Sequence, residues 1–324
     1  MVKAALASPV PLRRALLAWY RRHGRSLPWR AKQGEHPDAY RVWVSEIMLQ
    51  QTRVETVIPY FARFLERFPT VRSLAAASDE SVLASWSGLG YYRRARDLRR
   101  TAQRVATHHR GKLPLQWDQL RALPGIGDYT AGAILSIADG QRFPAPDANA
   151  LRIARRVTGA ALTPAAARRA LAAWVPGRGP GDFNQALMDL GATICVARAP
   201  QCGRCPLQQL CATQGEGAAP RASARQSIER IEIQYGFARR DERIWLVQRP
   251  ATSRLLPGMW ELPARSGRGI ALGTYRHRIT RTEIIARVFA ASQARPGAGL
   301  WIARDAAMRL PLTGLCRKIL ADLA

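Results

Sequence analysis

The chain has 324 residues, 47% of them hydrophobic, and a formal net charge of +27 from 50 Lys+Arg against 23 Asp+Glu. This length allows two or three domains with real cores, and no apolar run reaches membrane-spanning length. Codon usage that favours arginine explains Arg over Lys but not the scarcity of acidic residues, so the charge favours a polyanionic partner, and nucleic acid rather than a membrane.

The N-terminal segment is interrupted by Pro9, Pro11, Arg13 and Arg14. It predicts a short tail before an amphipathic helix and not a secretion signal. We therefore expect a cytoplasmic, bacterial, nucleoid-associated protein that makes no membrane contact and acts as a monomer.

The first two thirds of the chain are predicted to be mostly α-helical. Residues 1–212 form one predicted domain, because apolar residues recur at helical spacing between Pro and Gly interruptions over 11–212. The clearest predicted helices cover 40–68, 79–86, 92–108, 165–174 and 183–194.

A glutamate lies on the apolar face of the first long predicted helix. Glu46 is part of Ser-Glu-Ile-Met-Leu-Gln-Gln-Thr and shares its face with Val42, Trp43 and Leu49. A carboxyl group among apolar neighbours has a raised pKa and can stay protonated near neutral pH, as a general acid requires. The alternative is an ordinary helix glutamate that pairs with an arginine.

Residues 123–132, Leu-Pro-Gly-Ile-Gly-Asp-Tyr-Thr-Ala-Gly, predict a tight turn that opens a helix near Asp128. Gly125 and Gly127 can adopt positive φ and let backbone N–H groups approach a ligand. Together with the positive end of a helix dipole, such a turn forms a phosphate site. The two helices and the turn between them are predicted to cover about 118–138. The alternative is a plain corner between two helices without a ligand.

Asp147 lies twenty residues after Gly127, within Phe-Pro-Ala-Pro-Asp-Ala-Asn. A helix is predicted over 149–157, and the N-cap of a helix favours a carboxylate. Asp147 is therefore a second candidate catalytic carboxyl group, in addition to Glu46.

Four of the five cysteines lie within 17 residues, with the spacing Cys-x6-Cys-x2-Cys-x5-Cys. A disulfide is not expected in the cytoplasm, and four close thiols suit either zinc or an iron–sulfur cluster. Zinc sites usually combine two closely spaced Cys-x2–4-Cys pairs, and this segment has one such pair. The spacing therefore favours an iron–sulfur cluster. The candidate ligands are Cys195, Cys202, Cys205 and Cys211.

The composition changes after the cysteine loop. Residues 213–228 are small and polar and predict a linker. Strand patterns follow over 231–237, 243–249 and 283–289, and a helix over 312–323. The sequence therefore predicts a smaller α/β domain over 229–324, with Cys316 in its core.

Taken together, these segments resemble the adenine DNA glycosylases of the MutY family, in the helix-hairpin-helix–Gly/Pro–Asp superfamily. The cysteine loop, 195–211, is similar to the [4Fe–4S] loop of MutY and endonuclease III. The resemblance implies a mostly α, two-lobed glycosylase domain with a structural [4Fe–4S] cluster, followed by a smaller α/β Nudix-like domain. The other matching motifs are Leu27-Pro-Trp-Arg30, Gly88-Leu-Gly-Tyr-Tyr92 and Phe183-Asn-Gln-Ala-Leu-Met-Asp-Leu-Gly191.

The resemblance also implies a reaction, the hydrolysis of the N-glycosidic bond of adenine opposite 8-oxoguanine or guanine in double-stranded DNA. Glu46 is the implied acid and Asp147 the ionised group that stabilises the sugar cation. Asn149 is implied to orient Asp147, and Tyr129 to hydrogen-bond near the acid. The alternatives are a related glycosylase for thymine or uracil mismatches and a non-catalytic iron–sulfur DNA-binding protein.

Endonuclease III carries a lysine nucleophile where this chain has Tyr129, which cannot form a Schiff base. We therefore expect a monofunctional enzyme that leaves an abasic site.

The DNA contacts are also implied by the resemblance. Tyr91 and Gln51 would enter the duplex beside Leu89, and Gly125 and Gly127 would hold a phosphate. The implied adenine pocket consists of Arg25, Trp29, Arg30, Leu49, Val54 and Gln185.

Gly258-Met-Trp-Glu-Leu-Pro263 resembles the C-terminal domain of the family, a relative of the Nudix hydrolases, but no run of glutamates for Mg²⁺ follows it. The family's Phe-Ser-His recognition loop is matched best by Tyr275, Arg276 and His277, so an arginine replaces the serine. Ala148 replaces a glycine that is usual in the family.

Overall fold

The computed structural model describes residues 8–31, 35–214, 228–253, 255–266, 269–279, 282–291 and 299–323. Most of the predicted linker, residues 215–227, lies outside the described residues. The helices of the first part of the chain are α1 Val10–His23, α2 Ala39–Leu49, α3 Val54–Arg67, α4 Val71–Ala76, α5 Asp79–Trp86, α6 Arg93–His108, α7 Trp117–Arg121, α8 Asp128–Asp139, α9 Ala148–Thr158, α10 Pro164–Trp174 and α11 Pro180–Thr193. The second part contains β1 Glu229–Phe237, β2 Arg239–Arg240, β3 Arg243–Gln248, β4 Trp260–Glu261, β5 Ala271–Ile279, β6 Thr282–Ala290, β7 Gly299–Ala303, α12 Arg304–Ala307 and α13 Gly314–Leu323.

The chain divides into two compact units. The helical unit consists of Met1–Ala75 and Arg100–Ala222, and the mixed unit consists of Ala76–Arg99 and Ser223–Ala324. The mixed unit thus includes α5 and the beginning of α6 together with the strands of the second half. The predicted boundaries at 212 and 229 stay predictions. None of the helices in the described residues is long and apolar enough to cross a bilayer.

The predicted helix over 40–68 is wrong, because the structure has two helices there. α2 ends at Leu49, and α3 begins at Val54. Between them Gln51 adopts a φ of 58°, which a right-handed helix does not allow. The break consists of four polar residues, Gln50 to Arg53, but apolar residues resume at Val54, and a polar stretch this short also fits the exposed side of a continuous helix.

The predicted turn before residue 128 lies between α7 and α8. Gly125 has a φ of 74°, as expected. Gly127 has a φ of −91°, so the expectation that it also uses positive φ is wrong. A Cβ at Gly127 would meet no atom within 4 Å, so glycine here leaves open space at the N-terminus of α8.

Close packing in the helical unit places the segment that leads to Asp147. A Cβ on Gly132 of α8 would lie 1.9 Å from the carbonyl oxygen of Pro144, so only glycine lets this segment cross the helix. Behind it, α1, α9, α10 and α11 share an apolar core that includes Leu16, Ile153 and Phe183.

The described residues of the mixed unit form two sheets. In the first, β6 lies between β1, its parallel neighbour from Glu229↔Thr282 to Phe237↔Ala290, and β5, its antiparallel neighbour. In the second, β3 pairs antiparallel with β2, β4 and β7. Their apolar faces share a core with α13, and Cys316 is buried there at 2% exposure. This confirms an α/β fold for the second part.

Candidate active site and iron–sulfur loop

One cavity of the helical unit contains all the predicted catalytic and adenine-pocket residues. Its volume is about 360 Å³, which is within the range of small-molecule sites. The walls come from α2, α3, α8, α9 and α11 and from the segment after α1. The predicted residues that line it are Arg25, Trp29, Arg30, Glu46, Leu49, Val54, Tyr129, Asp147, Asn149 and Gln185.

Glu46 projects from α2 and is 4% exposed. Burial raises its pKa from 4.5 to about 7, and the negative charge of Asp147 adds to this rise. A hydrogen bond from the Tyr129 hydroxyl to Glu46 Oε2 opposes it. The carboxyl group can therefore hold a proton near neutral pH, as the sequence predicted.

Tyr129 is on the first turn of α8, where it faces Glu46. Burial and the nearby carboxylates raise its pKa well above 10, so its hydroxyl stays a hydrogen-bond donor. Met188 Sδ lies 4.0 Å from the Tyr129 oxygen. Sequence reasoning did not single out Met188, although it belongs to the matching motif over 183–191.

Asp147 is the N-cap of α9, and its Oδ1 accepts the backbone N–H of Ala150 at 2.6 Å. Its Oδ2 accepts Asn149 Nδ2 at 3.0 Å. Burial raises the pKa of Asp147, and these donors, together with the charge of Arg152, act against that rise. Because the donors favour the charged form of Asp147, we infer that Glu46 takes up the first proton of the pair.

Residues outside the cavity fix the position of Asp147. Buried Asn184 accepts Ala145 N–H at 3.2 Å and donates to Phe143 O at 2.9 Å and to Ser136 Oγ at 2.8 Å. Arg152 donates to Asn149 Oδ1 at 2.8 Å and to Cys195 O at 2.9 Å. The segment that leads to Asp147 and the first turn of α9 are thus held by hydrogen bonds from Asn184 and Arg152.

Asp189 of α11 forms salt bridges with the two predicted pocket arginines, Arg25 and Arg30, a role that the sequence did not reveal. It is fully buried, with Arg25 NH2 at 2.7 Å and Arg30 NH1 at 2.8 Å. Burial alone would raise the pKa of Asp189, but the two arginines hold it below its usual value. Because Asp189 neutralises Arg30, less positive charge acts on Glu46.

The two residues predicted to enter DNA share an unusual backbone. Gln51 has a φ of 58° and Tyr91 a φ of 50°, a region that costs energy for residues other than glycine and that recurs at functional sites. Tyr91 is 44% exposed, whereas Leu89 is buried at 6%.

The proposed recognition residues are in the middle of β5, a strand and not a loop. Tyr275 is 7% exposed, and its hydroxyl donates to Asp322 Oδ2 at 2.5 Å. Arg276 is exposed and His277 is half-buried. The structure thus gives Tyr275 a packing role, and its contact with DNA stays a prediction.

The four predicted cysteine ligands surround one small cavity with Arg156. Among the described residues no three His, Cys, Asp or Glu side chains are close enough to form a metal site as they stand, and these cysteines are free thiols. Burial raises the pKa of Cys205 to about 11, so a bound metal would have to displace its proton. Buried Arg156 donates to Cys195 Sγ at 3.3 Å and to Val196 O at 2.7 Å. Four soft thiols with a cation beside them fit an iron–sulfur cluster.

Two family descriptions match the chain. Residues 44–177 match the HhH-GPD superfamily base excision DNA repair protein, and residues 195–211 match the iron–sulfur binding domain of endonuclease III. The second match confirms the predicted iron–sulfur cofactor and its four cysteines.

The chain is also similar to curated adenine DNA glycosylases. It is 44% identical to that of Rattus norvegicus over 64% of this chain and 42% of the relative, and 43% identical to that of Homo sapiens over 64% and 40%. The identity to the Buchnera aphidicola (Schizaphis graminum) protein is 41%, over 60% of this chain and 57% of the relative. The chain therefore spans about two fifths of the length of the mammalian relatives.

Solved structures agree on the fold of the helical part. A thermostable thymine-DNA glycosylase superimposes with a TM-score of 0.59 at 27% identity, over 63% of this chain and 95% of that chain. A trapped endonuclease III–DNA covalent intermediate superimposes with a TM-score of 0.55 at 21% identity, over 64% and 98%.

Proposed function

We propose that the chain is a DNA repair glycosylase that hydrolyses the bond between adenine and deoxyribose in mismatched duplex DNA. The observation that carries this proposal is a pair of carboxyl groups on the wall of one cavity, buried Glu46 and half-buried Asp147. The identity to curated adenine DNA glycosylases supports adenine as the base. The net charge of +27 supports DNA as the partner.

The two carboxyl groups have complementary roles in this reaction. Protonated Glu46 gives its proton to a ring nitrogen of adenine, and the C1′–N bond breaks with its electron pair moving to the base. The ionised carboxylate of Asp147 stabilises the positive charge that develops on the sugar. Water then adds to C1′ and loses a proton to a carboxylate, which leaves an abasic site.

The base must leave the helix before this chemistry begins, at a cost of about a few kcal/mol. The exposed ring of Tyr91 and the side chain of Gln51 fill the gap in this proposal. Their φ values, 50° and 58°, support a functional constraint at both positions.

Hydrolysis without strand cleavage follows from the residue at position 129. Tyr129 stands where a Schiff-base lysine would be needed, and no lysine is among the described residues that line the cavity. Borohydride should therefore trap little enzyme on DNA.

The mixed unit supplies recognition of the base opposite adenine, preferably 8-oxoguanine, in a Nudix-related domain without nucleotide hydrolysis. Exposed Arg276 on β5 offers a cation to a phosphate or a base edge. Its replacement of the family's serine predicts altered discrimination between 8-oxoguanine and guanine.

Single-turnover assays on one duplex sequence test the proposal. The panel pairs adenine with 8-oxoguanine, guanine or thymine, and thymine or uracil with guanine. We expect adenine release opposite 8-oxoguanine and guanine, fastest opposite 8-oxoguanine, with the strand intact until alkali is added. Release of thymine or uracil alone would establish the related glycosylase, and release of no base would favour a DNA-binding protein without this chemistry. Arg276→Ser should change the ratio of the two adenine rates, and equal rates opposite both bases would remove the recognition proposal.

A further inference from the structure

The loop that presents Tyr91 belongs to the mixed unit and has its own hydrogen-bonded frame. Fully buried Trp86 donates from Nε1 to Gly90 O at 3.1 Å. The Tyr92 hydroxyl accepts the N–H of Gly88 at 3.2 Å. The Arg94 guanidinium lies 5.2 Å from the centre of the Tyr91 ring. We refer to residues 88–92 as the Tyr91 loop.

The residue just before this loop is anchored to the C-terminal part of the same unit. Ser87 is 5% exposed, and its hydroxyl donates to Leu312 O at 3.1 Å. The same oxygen accepts Arg317 NH2 at 3.0 Å. Arg317, on α13, also donates to Met308 O at 3.2 Å. Its guanidinium therefore connects Ser87 both to α13 and to the end of α12.

The chain around Leu312, which accepts the Ser87 hydroxyl, is itself hydrogen-bonded to a neighbouring strand. The backbone of Trp260 pairs with the chain around Leu312, since Trp260 N–H donates to Pro311 O and Thr313 N–H donates to Trp260 O, both at 2.9 Å. The Trp260 indole then donates to Glu80 Oε1 on α5 at 3.2 Å. On the other side of the loop, Arg96 donates to Pro257 O.

The contacts of Glu80, Ser87 and Arg96 lie before and after the Tyr91 loop in the chain. All of their partners belong to residues 257–317. We propose that the C-terminal α/β region holds the Tyr91 loop in its positive-φ conformation through Arg317 and Ser87, and that Arg317 is a positioning residue for insertion of Tyr91 into DNA. This inference rests on the proposed adenine glycosylase function. The role goes beyond reading the opposite base, because it acts on the extrusion step for any partner base.

The positive φ of Tyr91 costs free energy, and contacts with the surrounding structure must compensate for that cost. Without the Arg317–Ser87 contact the loop is free to relax, and insertion then has to restore the conformation each time. The chemistry at Glu46 is untouched once adenine is extruded. The defect should therefore depend on whether the substrate adenine starts stacked and paired.

The test compares two substrates for the full chain: adenine in a paired mismatch duplex, and adenine as a one-nucleotide bulge that is already unpaired. Arg317→Ala and Ser87→Ala should slow single-turnover adenine release from the mismatch about tenfold, the effect expected for loss of a charge-assisted hydrogen bond. Release from the bulge should stay within about twofold of the wild type. Arg317→Lys, which keeps a donor for Ser87, should recover part of the mismatch rate.

Arg309→Ala is the matched control, because it removes an exposed arginine close to Arg317 in the chain and should leave both rates unchanged. Equal slowing on both substrates, or wild-type rates for Arg317→Ala on the mismatch, would overturn the proposal. If Arg317→Ala does not fold, Ser87→Ala carries the comparison on the same two substrates. A wild type that releases adenine from neither substrate would refute the proposed function itself, which is a different outcome from a failure confined to the variants.

Discussion

Two glutamates, one in each unit, each accept a hydrogen bond from a tyrosine: Glu46 is buried and Glu261 is half-buried. They differ in what else surrounds them. In the mixed unit Glu261 meets Tyr235 at 3.1 Å and Arg249 at 2.6 Å. Burial raises the pKa of Glu261, and the Arg249 charge and these hydrogen bonds oppose the rise. In the helical unit Glu46 meets Tyr129 but has no direct arginine partner among the ion pairs of the described residues.

The difference lies in where the arginine is used. Arg30 is near enough to lower the pKa of Glu46, yet its hydrogen bonds go to Asp189 at 2.8 and 2.9 Å. A nearby cation stabilises the ionised form of a carboxyl group, which then acts as one half of a salt bridge. A buried carboxyl group without a paired cation instead favours its protonated form. Asp189 thus binds the arginine that could otherwise pair with Glu46, and this distinguishes Glu46 from Glu261.

The largest expected effect is on the rate of adenine release. Glu46→Gln removes the proton donor while keeping the shape of the side chain, so release should fall by about 10²–10⁴ with mismatch binding retained. Single-turnover kinetics and binding titrations measure the two properties. Glu261→Gln, at the paired glutamate, should release adenine at close to the wild-type rate. If both variants lost the same activity, the distinction between the two glutamates would be wrong.

The next effect concerns stability and its dependence on pH. Since the folded state raises the pKa of Glu46 from 4.5 to about 7, the folded protein binds this proton more tightly than the unfolded chain does. The free energy of unfolding therefore falls as pH rises from 4.5 to 7. Relative to the wild type, Glu46→Gln should gain about 2 to 3 kcal/mol between pH 5 and pH 8.

Denaturant unfolding followed by tryptophan fluorescence at several pH values measures this difference. Glu261→Gln is the control again: burial also raises the pKa of Glu261, but the charge of Arg249 opposes the rise, so its gain at high pH should be the smaller of the two. A stability difference between Glu46→Gln and the wild type that does not change with pH would mean that Glu46 ionises normally.

Local features of the site were predictable from the sequence, and long-range ones were not. The burial of Glu46 follows from its apolar neighbours at helical spacing, and the N-cap at Asp147 follows from the residues around it. Asp189 gave no such signal, since its partners Arg25 and Arg30 are 164 and 159 residues away in the chain. Periodicity reports which face of an element is buried and nothing about which distant side chain it meets.

The same limit explains the differences in the fold. The break at Gln51 lies in a polar stretch too short to be told from the exposed side of a helix. The grouping of residues 76–99 with the C-terminal half depends on contacts such as that of Arg317 with Ser87, 230 residues apart. In β5 the alternation of exposed and buried side chains places Tyr275 in the core, which a match to three residues of a recognition loop did not indicate.

The smallest effect tests whether the polar groups of the mixed unit are structural. Tyr275→Phe keeps the buried ring and removes the hydroxyl that donates to Asp322 at 2.5 Å. Because Asp322 is exposed, the loss should be only about 1 kcal/mol of unfolding free energy. The ratio of adenine release opposite 8-oxoguanine and guanine should not change, since a buried ring in the core does not reach a base. Arg276→Ser, at the exposed neighbouring position, gives the opposite pattern, with altered discrimination and unchanged stability. A change in discrimination for Tyr275→Phe would instead mean that this tyrosine leaves the core to contact DNA, and would make β5 a mobile recognition element, unlike the fixed carboxyl groups of the helical unit.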